Sequence, residues 1–280
     1  MIIDFHTHTF PEAIAKRALE KLGTAEGLRP HTEGTNKSLT ESMESAGVDI
    51  SILLPVVTKV SQTENVNAIA AVVEEQSGGR LISFGGIHPE DGEYIQHLDR
   101  LKADGVRGIK LHPVFQRTYC DDIRYKRIVD KACDLDMMVL IHAGADISCP
   151  DAEFAAADHM LQLVRDVNPN KLILAHMGAW RDWNDAEWLC SECSGVYVDT
   201  AFVLPIEGRE YFFETGIPTM STEQFCRIVK SIGADRVLFG TDSPWADQLQ
   251  SISAVRKSGL SEEEIDLILG GNAQRMLGIE

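Results

Sequence analysis

Apolar residues in this chain cluster in short, nearly unbroken runs, separated by longer stretches where they recur every three to four positions. The runs are Met1–His8, Val48–Pro55, Leu81–Pro89, Val106–Pro113, Met137–His142, Lys171–His176, Gly195–Thr200 and Arg236–Asp242. Runs of this length, apolar on both faces, predict parallel strands buried on both sides. The intervening stretches predict helices. The first places Ile14, Ala18 and Leu22 inward and gives way to a long loop over Gly23–Lys37. Others centre on Leu39, Met43 and Ala46, on Val66, Ile69, Ala70 and Val73, and on Tyr94, Leu98 and Leu101. Later ones carry Ile128, Val129 and Ala132, then Met160, Leu161 and Val164, then Trp183, Trp188 and Leu189, and last Phe225, Ile228 and Val229. Ser261 and Glu264 form a capping box that starts a tail helix, with Gly270-Gly271 as its stop and a last helical turn or two over Asn272–Gly278. Eight strands, each followed by helical sequence and with no linker or composition break, predict a single-domain (β/α)8 TIM barrel over residues 1–280. The rival pattern, an open doubly wound sheet, lacks its usual Gly-x-Gly-x-x-Gly turn after an early strand.

Composition narrows the classes of partner. With 280 residues, 44% of them hydrophobic, the chain can bury a large core. Its net charge of −17 argues against nucleic acid or an anionic membrane surface as partner, because both need a basic face. No basic region leads into an apolar core at the start, and no apolar run approaches a membrane span. Six cysteines are sparse for this length and fit reduced thiols, so a cytoplasmic protein is expected. Cys190-x-x-Cys193 has no second Cys or His pair at zinc-site spacing and is read as a helix end.

The chemistry sits where the strands stop. His6 and His8, two residues apart on a strand, leave the backbone on one face and can grip one metal ion as neutral imidazoles. His88, His112, His142, His176, Asp199 and Asp242 also stand at or just past strand ends. In a parallel barrel these ends share one rim, where active sites are built. In the fourth strand, Ile109 and Leu111 face the helices, so Lys110 and His112 point to the barrel axis. Asp199 is read as capping, with holding His176 or a loop as the alternative.

The stretches Asp4-Phe5-His6-Thr7-His8, Gly108–Pro113, Ile141–Gly144, Leu174–Gly178, Phe239–Pro244 and Gly271–Ala273 together resemble the amidohydrolase superfamily of metal-dependent TIM-barrel enzymes. Within it, the chain is similar to the branch containing aminocarboxymuconate semialdehyde decarboxylase. The resemblance implies His6, His8, His142 and Asp242 as metal ligands, with Asp242 and His176 handling protons. It implies one divalent ion, zinc being expected; a second ion through a carboxylated Lys110 is the alternative. Three imidazoles and one carboxylate leave zinc a net positive charge and an open position, where bound water approaches a pKa of about 7. Lys110, His112, Arg117 and Arg181 are candidate substrate contacts, the arginines as planar forks for a carboxylate. Trp180, Trp183 and Trp245 follow strand ends closely, and Phe202–Met220 is long enough for a lid.

These residues predict a metal-dependent hydrolase that directs activated water at an amide, lactone or ester of a small, carboxylate-bearing substrate. The alternative is non-oxidative decarboxylation of an unsaturated or aromatic acid on the same ligands. A catalytically inactive, ligand-binding barrel is the reading from another class. The partner is a small molecule, and a homodimer is the assembly that the resemblance allows.

Overall fold

Every apolar run contains a strand in the computed structural model, which describes residues 1–26, 28–192, 194–204 and 218–279. In chain order the strands are β1 (Ile3–Thr7), β2 (Ile50–Leu53), β3 (Leu81–Ser83), β4 (Gly85–Gly86), β5 (Gly108–Leu111), β6 (Met138–Ile141), β7 (Leu172–Leu174), β8 (Val196–Asp199) and β9 (Val237–Leu238). The run at 81–89 thus yields two short strands that break at Phe84. The residues group into two compact units, 1–53 with 199–280, and 54–198.

In the first unit β1 and β2 run parallel, with Ile3 opposite Ile50 and Asp4 opposite Ser51. The other edge of β1 bonds to the chain that continues from β9. Phe5 N donates to Phe239 O at 2.7 Å, Asp242 N to His6 O at 2.8 Å and His8 N to Ser243 O at 2.6 Å. Ile3, Phe5, Met43, Ile52 and Phe239 are wholly buried here. Each such side chain contributes about 1.5–3 kcal/mol of transfer free energy, which holds the strands in register.

In the second unit β4, β5, β6, β7 and β8 form a parallel sheet. Leu111 lies opposite Ile141, and Ile141 opposite Leu174. The next residues therefore emerge at one end of the sheet: His142 N bonds Leu111 O at 3.0 Å and Ala175 N bonds Ile141 O at 2.9 Å. This register sets His112, His142 and His176 close together.

The helices form largely where periodicity places them, but several differ. In Glu12–Glu26 the buried positions are Ala15 and Leu19, one step from the predicted stripe, and Ile14 is 43% exposed. This helix also runs through Gly23, a cost of about 1 kcal/mol that tertiary packing overrides. In Thr63–Gln76 the inward face carries Thr63, Asn67, Ala70 and Val73, while Ile69 is 46% exposed. Asn67 takes the inward place because its Oδ1 accepts from Gly86 N at 2.8 Å. Gly270-Gly271 is not a stop; the chain passes through a π-helical turn, Leu267–Gly271, into the expected last helix, Asn272–Leu277.

The capping box is present, with Ser261 Oγ accepting from Glu264 N and Glu264 Oε2 from Ser261 N at 2.8 Å. Ser261→Ala is therefore expected to cost about 1 kcal/mol, read as a lower urea midpoint at unchanged slope. Cys193 and the lid stretch at 205–217, with Pro205, Gly208 and Gly216, lie outside the described residues. Among the described residues no helix is long and apolar enough to cross a membrane.

Candidate metal centre

His6 and His8 leave the end of β1 side by side, as their spacing predicts, with their Nε2 atoms 3.2 Å apart. Asp242 Oδ1 lies 3.3 Å from His6 Nε2 and 3.1 Å from His8 Nε2. An ion about 2.1 Å from each atom would require edges of roughly 3.4 Å in tetrahedral geometry and roughly 3.0 Å in octahedral geometry. The triangle falls between these values. The residues present fit a single divalent cation.

Backbone features hold this triangle. Asp242 has φ 67°, a left-handed conformation that Asp tolerates better than most residues, and it turns the carboxylate back toward β1. Gly240 makes room for His6, because a Cβ there would lie 2.8 Å from the His6 Cβ. Asp4, wholly buried, accepts from Thr241 N at 3.0 Å and Thr241 Oγ1 at 2.6 Å, and from Gln248 Nε2 at 2.8 Å. Burial pushes the Asp4 carboxyl up to about 7 even though these donors pull it down. The network pins the residue preceding Asp242. Sequence reading did not single out Asp4, Thr241 or Gln248.

Asp199 has a larger part than capping. Its Oδ2 lies 2.7 Å from His6 Nδ1, with both side chains almost fully buried. A carboxylate accepts here, so Nδ1 carries the proton and the Nε2 lone pair faces Asp242 and His8. That is the tautomer a metal needs. Asp199→Asn is expected to weaken affinity for zinc or manganese about 10–100-fold, measured by competition with a chromophoric chelator; unchanged affinity would mean that Asp199 only packs.

The second unit holds a different cluster. His112 stacks on His142 at 4.2 Å between ring centres, and His176 Nε2 lies 3.1 Å from His142 Nδ1. Asp146 Oδ2 is 3.7 Å from His112 Nε2 and 3.8 Å from His142 Nε2. Three potential ligand atoms from His112, His142 and Asp146 lie within 4.8 Å of one another, but protons decide their chemistry. His142 Nε2 faces the carbonyl of Ala145 at 3.1 Å, which can only accept. His112 Nδ1 accepts from Phe115 N at 3.4 Å, which leaves the proton on Nε2. With these partners both Nε2 atoms donate. Asp146, oriented by Ser148 N at 2.9 Å, was not legible as a member. The ligand role expected of His142 rests on the resemblance.

The other candidates separate by burial. Lys110 is 1% exposed on β5. Arg117 is exposed, and Arg181 reaches the surface, bonding Pro150 O at 3.1 Å. His88 Nδ1 accepts from Glu90 N at 3.1 Å, and burial lowers its pKa. His176 stands at φ 59° on the turn after β7, and Trp183 Nε1 donates to its carbonyl at 3.1 Å.

A family model described as amidohydrolase matches residues 3–279. No curated protein matches the chain. Among solved structures, an uncharacterised TIM-barrel protein from Bordetella bronchiseptica is 18% identical, with TM-score 0.78 over 99% of this chain and 98% of its own. A dihydroxybenzoic acid decarboxylase from Polaromonas, solved with manganese and 2-nitroresorcinol, is 17% identical, with TM-score 0.71 over 99% and 96%. Decarboxylases of 5-carboxyvanillate and 2,6-dihydroxybenzoate are similar in the same range, with TM-scores from 0.70 to 0.73. A probable 2-pyrone-4,6-dicarboxylic acid hydrolase from Acinetobacter baumannii is 16% identical, with TM-score 0.67 over 99% of each chain. At these identities the likeness carries the fold, and that fold is the TIM barrel predicted from the sequence.

Proposed function

Because the chain belongs to the amidohydrolase family, we propose that it is a metal-dependent decarboxylase acting without oxidation on an aromatic or unsaturated carboxylic acid. The observation that carries this reading is the triangle of His6, His8 and Asp242, whose edges suit one divalent ion. The recurrence of decarboxylases among the similar structures favours this reaction over the hydrolysis first expected from the sequence. His142, implied by the resemblance, is the fourth ligand in this proposal. The ion is zinc or manganese; the manganese in the Polaromonas enzyme widens the initial expectation of zinc.

Bound there, a divalent ion supplies Lewis-acid polarisation of the acid's oxygens. The chain's own residues do the rest. Lys110 and His112, both buried, hold the carboxylate, a task better suited to them than to the exposed Arg117. The bond from carbon to carboxylate breaks, its electron pair stays on carbon, and carbon dioxide leaves. His176 and Asp242 manage the one proton that carbon takes up. The test is carbon dioxide release from hydroxylated benzoic acids by protein loaded with manganese or zinc. Stoichiometric release with loss of the acid is expected; none across the series would sink the reading.

Hydrolysis of a lactone, ester or amide is the second reading, which the likeness to a pyrone dicarboxylic acid hydrolase supports. It predicts acid production from lactones without carbon dioxide. A second ion at a carboxylated Lys110 would appear as two metal equivalents in elemental analysis, against the one proposed.

A further inference from the structure

A buried donor without an acceptor marks a place where a ligand is missing from the hydrogen-bond account. Among the described residues the buried side-chain polar atoms without a partner are Thr63 Oγ1, Asn67 Nδ2, Arg127 Nε, Trp180 Nε1 and, as an acceptor, Gln248 Oε1. Thr63 and Asn67 lie on helix Thr63–Gln76, Arg127 on Ile123–Asp134 and Gln248 on Gln248–Arg256. Only Trp180 follows a strand end, four positions after His176, where substrate-contacting loops of a barrel begin. It is 5% exposed.

Its backbone fixes it beside the imidazole cluster. Trp180 N donates to Ala143 O at 3.0 Å and accepts, through its carbonyl, from Ala145 N at 3.3 Å. The strand bond is so close that a Cβ on Gly144 would lie 2.2 Å from Trp180 N, so position 144 must be glycine. The strap Ala143-Gly144-Ala145 carries His142 at one end and Asp146 at the other. Trp180 is therefore locked in register with the segment that holds both.

We propose that the Trp180 indole N–H recognises an oxygen substituent on the ring of the acid substrate, an inference that rests on the decarboxylase reading. Indole nitrogen donates one hydrogen bond, accepts none and carries no charge. It suits a phenolic or carbonyl oxygen, while the substrate's carboxylate calls for a cation such as Lys110. A site with an unmatched buried donor discriminates strongly against an analogue that lacks the acceptor. An acid bearing a hydroxyl beside its carboxylate is then preferred over unsubstituted benzoate.

The test compares metal-loaded parent protein and Trp180→Phe, titrated calorimetrically with 2,6-dihydroxybenzoate and with benzoate. Phenylalanine keeps most of the packing and removes the donor. The variant is expected to bind 2,6-dihydroxybenzoate about tenfold more weakly, to bind benzoate as the parent does, and to melt no lower than the parent without ligand. If the variant fails to fold, the parent's own indole resonances decide: the Trp180 N–H, one of four from the chain's tryptophans, should move downfield with 2,6-dihydroxybenzoate and not with benzoate. Equal affinity of the two proteins for the hydroxylated acid, equal losses for both acids, or an unmoved Trp180 resonance while the acid binds overturns the proposal and leaves the decarboxylase reading intact. Failure of the parent to bind either acid overturns both.

Discussion

Replacing His8 with alanine is expected to strip the protein of its divalent ion while leaving it folded. His8 is 18% exposed and supplies one vertex of a triangle whose edges run from 3.1 to 3.3 Å. Its removal leaves the His6–Asp199 bond in place, so no buried carboxylate loses its partner. A directly ligating atom contributes more than a residue that only orients a ligand, whose loss costs about 10–100-fold in affinity. The expected loss for His8→Ala therefore exceeds about a hundredfold. Elemental analysis after exhaustive dialysis, beside a thermal melt, checks it. His6→Ala is the poorer experiment, since it strands Asp199 in the interior and confounds metal loss with misfolding. Full metal retention by a folded His8→Ala protein would show that the ion does not bind at the triangle.

Much of this was legible because a parallel barrel imposes a strong pattern. Strands buried on both faces read as continuous apolar runs, and their ends were marked by His6, His8, His112, His142, His176 and Asp242. The supporting layer was less visible for a physical reason: its bonds join residues far apart in sequence. Asp199 lies 193 positions from His6 and Asp4 237 from Thr241, and neither pairing has a local signature. Helix faces misled where an inward polar residue had a private partner, as Asn67 does with Gly86. Helix Gln248–Arg256 escaped notice for a related reason, because its buried positions include Gln248 and Ser251, which break the apolar period. Tautomers are the last layer. Neither the contact of His112 with Phe115 N nor that of His142 with Ala145 O has a signature in the sequence.

His176→Asn is expected to abolish carbon dioxide release while leaving metal content unchanged. Asparagine is the right replacement because position 176 is held at φ 59°, in the left-handed region where Asn is among the residues most easily accommodated. Alanine would add backbone strain to the loss of the imidazole. The bond from Trp183 Nε1 to the carbonyl of residue 176 uses main chain and survives either change. What disappears is the imidazole whose Nε2 lies 3.1 Å from His142 Nδ1, and with it a group that can take up and hand on a proton. Losing a positioned acid or base typically lowers turnover by about 10²–10⁴-fold, and a drop of that size in kcat is expected here with the melt preserved. If the variant instead loses its metal, His176 is a ligand and the proton falls to Asp242. If it turns over normally with its metal intact, His176 serves only to orient His142, and carbon must receive its proton from elsewhere.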